Sequence, residues 1–457
     1  MGHAFPDSNV FYRKLNREHP LIVRGEGCYL YDESGKRYLD GCGGAFVVNI
    51  GHGVAEIGEA MAEQARTVAY LNGTAFTSRP VEELSSTLAR LVPGDLDLAY
   101  YLSSGSEAVE AALKLARQYW VEKGKPGKHK IIALKPSYHG NTLLALSASG
   151  RDHYKKVYQD WLVDVLTIPA PYPYRCGCAG CEPDCLGCSG EALEDMILQT
   201  GADSIAAFIA EPVGGSSTGG SVPPADYFKE VRAICDRHEI LFIADEVLVG
   251  SGRTGTFTAI EQFGVIPDIL TLGKGISGGY VPLSAVLTSR RLVEVIARGS
   301  GDFLHAQTFS HHAVLCAAGL AAMKYLEKHK LVQRCADMSG VFHEKLKPLA
   351  ELPFVGDVRG RGLLAGIEFV VDKVTRAPFP REAKFAEKFT EAAQQAGLIV
   401  WANIGHADGV KGDLIMFAPP FIVTEDQMDE MVTGFNQALE ATMRLLGPKY
   451  QPAQGAI

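Results

Sequence analysis

No apolar run in this 457-residue chain is long enough to span a bilayer. Positive charge is in deficit: 44 Lys and Arg against 53 Asp and Glu leave a formal charge of −9. That balance offers no general attraction to nucleic acid or to an anionic membrane. The opening residues, Met1-Gly2-His3-Ala4-Phe5-Pro6-Asp7, lack the basic-then-apolar order of a secretory signal. A cytoplasmic location with reduced thiols is the expectation. Internal repeats and coiled-coil heptads are also missing. With 47% hydrophobic and 21% charged residues, the composition excludes a disordered chain. The length predicts more than one domain.

Histidine is absent from the stretch that holds half of the ten cysteines, Cys176, Cys178, Cys181, Cys185 and Cys188. Any metal site there would be all-sulfur. The spacing leaves two readings open: four thiolates around a zinc ion, or a thiol-rich surface loop with no metal. No metal ligand is assigned at this point. The other five, Cys28, Cys42, Cys235, Cys316 and Cys335, are scattered and read as small buried apolar residues.

The middle of the chain alternates short β-branched runs with helical patterns. This predicts an α/β architecture, a mostly parallel sheet between helices. Strands are predicted at 97–102, 130–134, 205–210 and 240–244, with a helix from Pro224 to His238 making a βαβ unit. Ala108, Ala112, Leu115, Ala116 and Tyr119 keep one helical face. After about residue 335 amphipathic helices such as Ala383 to Ala396 mix with strands such as Leu363 to Glu368. The expected division is 66–334 for a large domain. A smaller, discontinuous α+β domain would be built from 1–65, including a hairpin near 27–40, and from 335–457.

Two apolar runs carry the chemistry. One ends in Asp245, the other delivers Lys274 into a glycine-rich turn. A buried amine can form a Schiff base with an aldehyde cofactor, and a facing carboxylate can keep a ring nitrogen protonated so that the ring accepts electrons. This is the requirement of a pyridoxal 5'-phosphate enzyme. Ser103-Ser104-Gly105-Ser106 joins a strand to a helix start, where free N–H groups and hydroxyls suit a phosphate; an ordinary N-cap is the alternative. Tyr138, near a strand's carboxyl end, could stack on an aromatic cofactor or sit as an edge tyrosine.

Together the motifs resemble the class III aminotransferases, enzymes of pyridoxal-phosphate fold type I. The residues that carry the likeness are Ser104-Gly105-Ser106-Glu107-Ala108, Tyr138-His139-Gly140, Glu211-Pro212, Asp245-Glu246-Val247, Gly250-Ser251-Gly252-Arg253-Thr254-Gly255, Gly273-Lys274-Gly275 and Thr308-Phe309-Ser310. The resemblance implies that Lys274 holds the cofactor and moves the substrate proton. It implies that Asp245 pairs with the ring nitrogen, and that Val247 packs on the ring opposite Tyr138. Ser104, Gly105, Ser106 and His139 belong to the implied cofactor site, Glu211 supports the ring edge, and Thr308 adds a hydroxyl to the phosphate from a neighbouring subunit. A homodimer with shared active sites follows, possibly paired into a tetramer.

The sequence departs from the family at Met416, where many relatives carry an arginine that grips a carboxylate, and at Ser216, where some carry the glutamate that parks it. Ala45, Phe46, Phe76, Tyr280 and Trp401 are the remaining candidates for the substrate pocket. The expected reaction moves an amino group from a primary amine or ω-amino acid to a pyruvate-like 2-oxo acid. A racemase, mutase or decarboxylase of the same fold is the alternative, and a non-catalytic, metal-sensing partner the third reading.

Overall fold

Seven strands lie side by side in the order Leu98–Leu102, Ser284–Thr288, Ile269–Leu272, Leu241–Asp245, Ile205–Ala210, Lys130–Lys135, Leu166–Pro169. Ser284–Thr288 is antiparallel to both of its neighbours, and the other adjacent pairs are parallel. Six strands therefore end on one edge of the sheet, where an open α/β sheet presents its crevice. The computed structural model describes residues 3–176, 185, 187–447 and 450. Cys178 and Cys181 lie outside the described residues.

Alternation along the central strands explains why they are buried on both faces. Phe208 and Phe242 turn toward helix Tyr227–Arg237, where Phe228 stacks on Phe242 at 5.7 Å between ring centroids. Ala207, Ile209 and Ile243 turn the other way and pack with Ala112 and Ala116 of helix Gly105–Glu122. The small alanines let that helix lie close to the sheet. Trp120 closes its far end by donating from Nε1 to Ala206 O at 2.8 Å.

Two four-stranded sheets form the rest. Ile22–Glu26, Tyr29–Asp32 and Arg37–Asp40 make an antiparallel set, and Arg37–Asp40 pairs in parallel with Leu398–Ile399 from far along the chain. Asp32 shapes the hairpin turn by accepting from the N–H groups of Ser34 and Lys36, both at 3.0 Å. The second set runs Val355–Arg361, Leu364–Phe369, Asp413–Phe417, Trp401–Ile404. Helices Phe385–Gln395 and Glu425–Leu446 pack together beside these strands, and the second is started by a capping box on Thr424 and Gln427.

These layers are tied to the large sheet by buried polar contacts. Arg253, 1% exposed, donates to Leu363 O at 3.0 Å and Pro419 O at 2.7 Å. Asn49 donates to Ser251 O and Gly275 O, which seats the segment from Gly43 to Asn49 against the turn that carries Lys274. Among the described residues no helix is long and apolar enough to cross a membrane.

Candidate active site

Five strand ends converge on one cavity of about 160 Å³. Gly105, Ser106, Tyr138 and His139 line it, as do Glu211, Asp245, Val247 and Lys274. All eight were expected from sequence. Gly140 and Leu248 complete the lining.

Asp245 is 4% exposed and held from both sides. Its Oδ1 accepts from Val247 N and from Thr271 Oγ1, both at 3.1 Å. Its Oδ2 accepts from His139 Nδ1 at 2.7 Å. The carboxylate is therefore fixed in direction before any ligand arrives. Glu211 accepts from Tyr138 N at 3.1 Å and from Gly215 N at 3.1 Å, and burial pushes its carboxyl above the usual range. Lys274 sits at φ +43° in the turn after its strand. Burial pushes its amine below the ordinary lysine value, while Asp245 and Glu211 pull the other way.

The end of the cavity at Gly105, Ser106 and Gly140 is shaped by glycine. A Cβ at Gly105 would stand 2.6 Å from Val247 Cγ1. At Gly140, where φ is +138°, it would stand 2.5 Å from Ser106 Oγ. The Ser106 hydroxyl oxygen accepts from Asn141 N at 3.0 Å, which leaves its proton to donate into the cavity. Ser104 is placed differently. It is exposed, lies outside the cavity lining, and accepts from Glu107 N at 3.3 Å as the helix N-cap.

The remaining candidates separate. Met416 is fully buried in a cluster with Phe46, Leu248 and Leu414, and Trp401 packs against that cluster. Phe46 and Trp401 stand 5.4 Å apart between ring centroids. This apolar wall meets the cavity through Leu248. Ala45 is half-buried beside Phe46. Tyr280 is a tie rather than a wall: its hydroxyl accepts from Val54 N at 2.6 Å and donates to Gly51 O. Phe76 is 68% exposed and Thr308 is exposed; neither lines the cavity formed by this chain.

Arg151 was not anticipated. It is 6% exposed, with its guanidinium carbon 4.6 Å from the Tyr138 ring centroid. It donates to Ser217 Oγ at 2.9 Å and Ser216 Oγ at 2.6 Å and, among the described residues, forms no ion pair. It lines a neighbouring cavity of about 430 Å³ with Arg13, Lys14, His153 and Trp401. The only hint in the sequence was Ser216, standing where an acid would otherwise face a cation.

The family described as aminotransferase class-III matches residues 12–439. An uncharacterized aminotransferase of Bacillus subtilis, YodT, is 37% identical over 434 residues, 95% of this chain and 98% of that protein. The putrescine–pyruvate aminotransferase of Pseudomonas aeruginosa is 33% identical, over 94% of this chain and 93% of its own. Among solved structures, a thermostable (S)-enantioselective omega-transaminase from Thermomicrobium roseum superposes with a TM-score of 0.89 at 36% identity, covering 96% of this chain and 97% of that one.

Proposed function

The chain belongs to the class III aminotransferases, and from that footing we propose that Arg151 supplies the cation its substrates meet, in place of the family's arginine clamp. The protein moves an amino group between an amine or ω-amino acid and a 2-oxo acid, using pyridoxal 5'-phosphate. The residues fit that cofactor: a glycine-walled cradle with a donating serine at one end, a fixed carboxylate at the other, and an amine between strand ends. When bound, the cofactor supplies an electrophilic aldehyde and an electron-accepting ring.

The chain's own residues do the rest. Lys274 would hold the cofactor through its amine and would take and return the proton at the substrate Cα. Asp245 holds the ring nitrogen protonated, and His139 holds Asp245. Gly105 and Ser106 receive the phosphate through the N–H groups of a helix start. Tyr138 and Val247, which line the cavity, would hold the ring between them.

The single observation that carries the substrate reading is the pairing of an apolar Met416 wall with Arg151, a buried cation without a carboxylate partner among the described residues. Met cannot grip a carboxylate, and an arginine next to the site can. We place a primary amine or ω-amino acid as donor and a pyruvate-like 2-oxo acid as acceptor. Half-reactions read by the cofactor spectrum test this. Aryl-alkyl amines, β-alanine, 4-aminobutyrate and taurine are expected to convert the cofactor stoichiometrically to its amino form, and pyruvate to restore it. Turnover of α-amino acids alone would refute the reading.

A homodimer is part of the same proposal, with further pairing into a tetramer as an option. Leu304 and Phe309, 73% and 54% exposed, flank Thr308. Tyr70 stacks edge-on to Phe309 at 6.2 Å, making an apolar surface beside Thr308. A second copy seated there would receive Thr308 at its phosphate. We place the reaction in the cytoplasm, where thiols stay reduced.

A further inference from the structure

The transamination chemistry uses none of the cysteines between strand Leu166–Pro169 and helix Glu191–Thr200. Three of them, Cys176, Cys185 and Cys188, lie within the described residues, and their Sγ atoms all fall within 4.8 Å of one another. Cys176 reaches the other two across at least nine positions of chain, so sequence adjacency alone does not bring the sulfurs together. Cys188 N donates to Cys185 O at 2.8 Å, a turn that draws these two thiols close. Both are buried, each 4% exposed.

The two ends of this loop are fastened to different parts of the molecule. On the incoming side Tyr172 and Arg175 contact Glu368 in strand Leu364–Phe369, and Arg376 donates to Tyr174 O at 2.7 Å. On the outgoing side Gly190 N donates to Glu230 of helix Tyr227–Arg237 at 2.6 Å. The sulfurs thus meet at the junction of the large sheet with the C-terminal sheet.

Their separation selects the chemistry. With zinc–sulfur bonds of about 2.3 Å, the corners of a tetrahedral thiolate site stand roughly 3.8 Å apart, inside the observed limit. A disulfide joins two sulfurs and leaves the third. We infer that Cys176, Cys185 and Cys188 bind one zinc ion as thiolates and supply three of its four tetrahedral corners, a site that staples this loop between the two sheets. Binding expels the thiol protons to solvent and changes no oxidation state.

Elemental analysis of holoenzyme purified without chelator, from medium supplied with zinc, tests this. About one zinc per chain is expected, released when a mercurial reagent titrates the thiols. The double variant Cys185→Ser/Cys188→Ser should hold less than a tenth of that zinc, keep the cofactor's visible band, and melt at lower temperature. A Cys235→Ala control should keep its zinc. Wild-type protein that carries no zinc and takes up none under reducing conditions overturns the site, whatever the variant does. So does iron in place of zinc, a native disulfide found by intact mass, or a double variant with full zinc content.

Discussion

His139 Nδ1 lies 2.7 Å from Asp245 Oδ2, joining the loop after strand Lys130–Lys135 to the end of strand Leu241–Asp245. The imidazole leaves the carboxylate one orientation, and the Thr271 hydroxyl and Val247 N–H fix its other oxygen. Asp245→Asn keeps the shape and removes the charge proposed to hold the cofactor nitrogen protonated. Its kcat should fall by about 100-fold or more. His139→Ala keeps the charge and loosens its aim, and should cost about 10- to 100-fold, as the loss of supporting contacts does at other built sites. Steady-state kcat with the cofactor saturated checks both. An unaltered kcat in Asp245→Asn would remove the acid from the mechanism.

Burial sets the pH at which Lys274 becomes reactive. The neutral amine is the form that condenses with an aldehyde, and burial lowers the pH at which it is half-populated. Cofactor capture by protein stripped of it should speed up as pH rises, then level off below the value of about 10.4 for a free lysine. Asp245 pulls in the opposite sense, so Asp245→Asn should move the plateau lower still. Borohydride trapping followed by peptide mass analysis measures the rate and places the label. Modification of any lysine other than Lys274 would contradict the assignment.

Glycine is required at two walls of the cradle for steric reasons. Gly105→Ala brings a methyl group to 2.6 Å from Val247 Cγ1, and Gly140→Ala meets Ser106 while holding φ at +138°. Overpacking of this kind costs about 1–3 kcal/mol, equivalent to roughly 5- to 150-fold weaker cofactor binding if the strain falls on the site. Fluorescence titration with pyridoxal phosphate measures it, and circular dichroism confirms that the fold is retained. Unchanged affinity in both variants would show that the phosphate binds elsewhere.

Apolar runs and the residues closing them made the large sheet, and the cavity that Asp245 and Lys274 share, readable. Ile205–Ala210 is a strand as expected, and the other expected strands end within about a residue of their expected limits. Asp245 and Lys274 could be paired in advance because each follows a buried run, and such runs end at a sheet edge. The substrate side was less readable. Phe76 and Tyr280 were candidate pocket residues because they are aromatic, but aromatic character does not distinguish a wall from a tie or an exposed surface. For Arg151 the sequence offered only the indirect hint of Ser216: its place beside Tyr138 depends on a fold that brings residues 138, 151 and 216 together. Ser104 fits both a cap and a phosphate ligand in sequence, and its hydrogen bond to Glu107 N places it as the cap.

Arg151 provides a test that separates recognition from chemistry. Its guanidinium rests on Ser216 and Ser217 rather than on an acid. Hydrogen bonds to a charged group contribute about 1.5–3 kcal/mol. Arg151→Gln should therefore raise KM for pyruvate by roughly 10- to 150-fold. The half-reaction with an amine that has no carboxylate should change little. Equal losses on both substrates would make Arg151 a support for Tyr138 rather than a substrate contact.

Glu368 gives the clearest pH signature in the fold. It is fully buried and sits among Arg359, Arg175, His406 and the Tyr172 hydroxyl, with Arg359 Nη2 at 2.9 Å. Burial alone would raise its carboxyl, but His406 and Arg359 outweigh burial and hold it well below the usual range. A depressed folded value means the unfolded chain takes up the proton first. The stabilisation is thus complete above the unfolded value near 4.3 and is lost as pH falls through the folded one. Glu368→Gln leaves two arginines without their shared anion and should cost about 3–5 kcal/mol at pH 7. The gap between wild type and variant should narrow steadily below about pH 4, as the unfolded chain's carboxyl takes up its proton while the native one stays ionised. Melting temperatures of both proteins across that range measure the gap; a constant offset would mean that the loss comes from packing and not from charge.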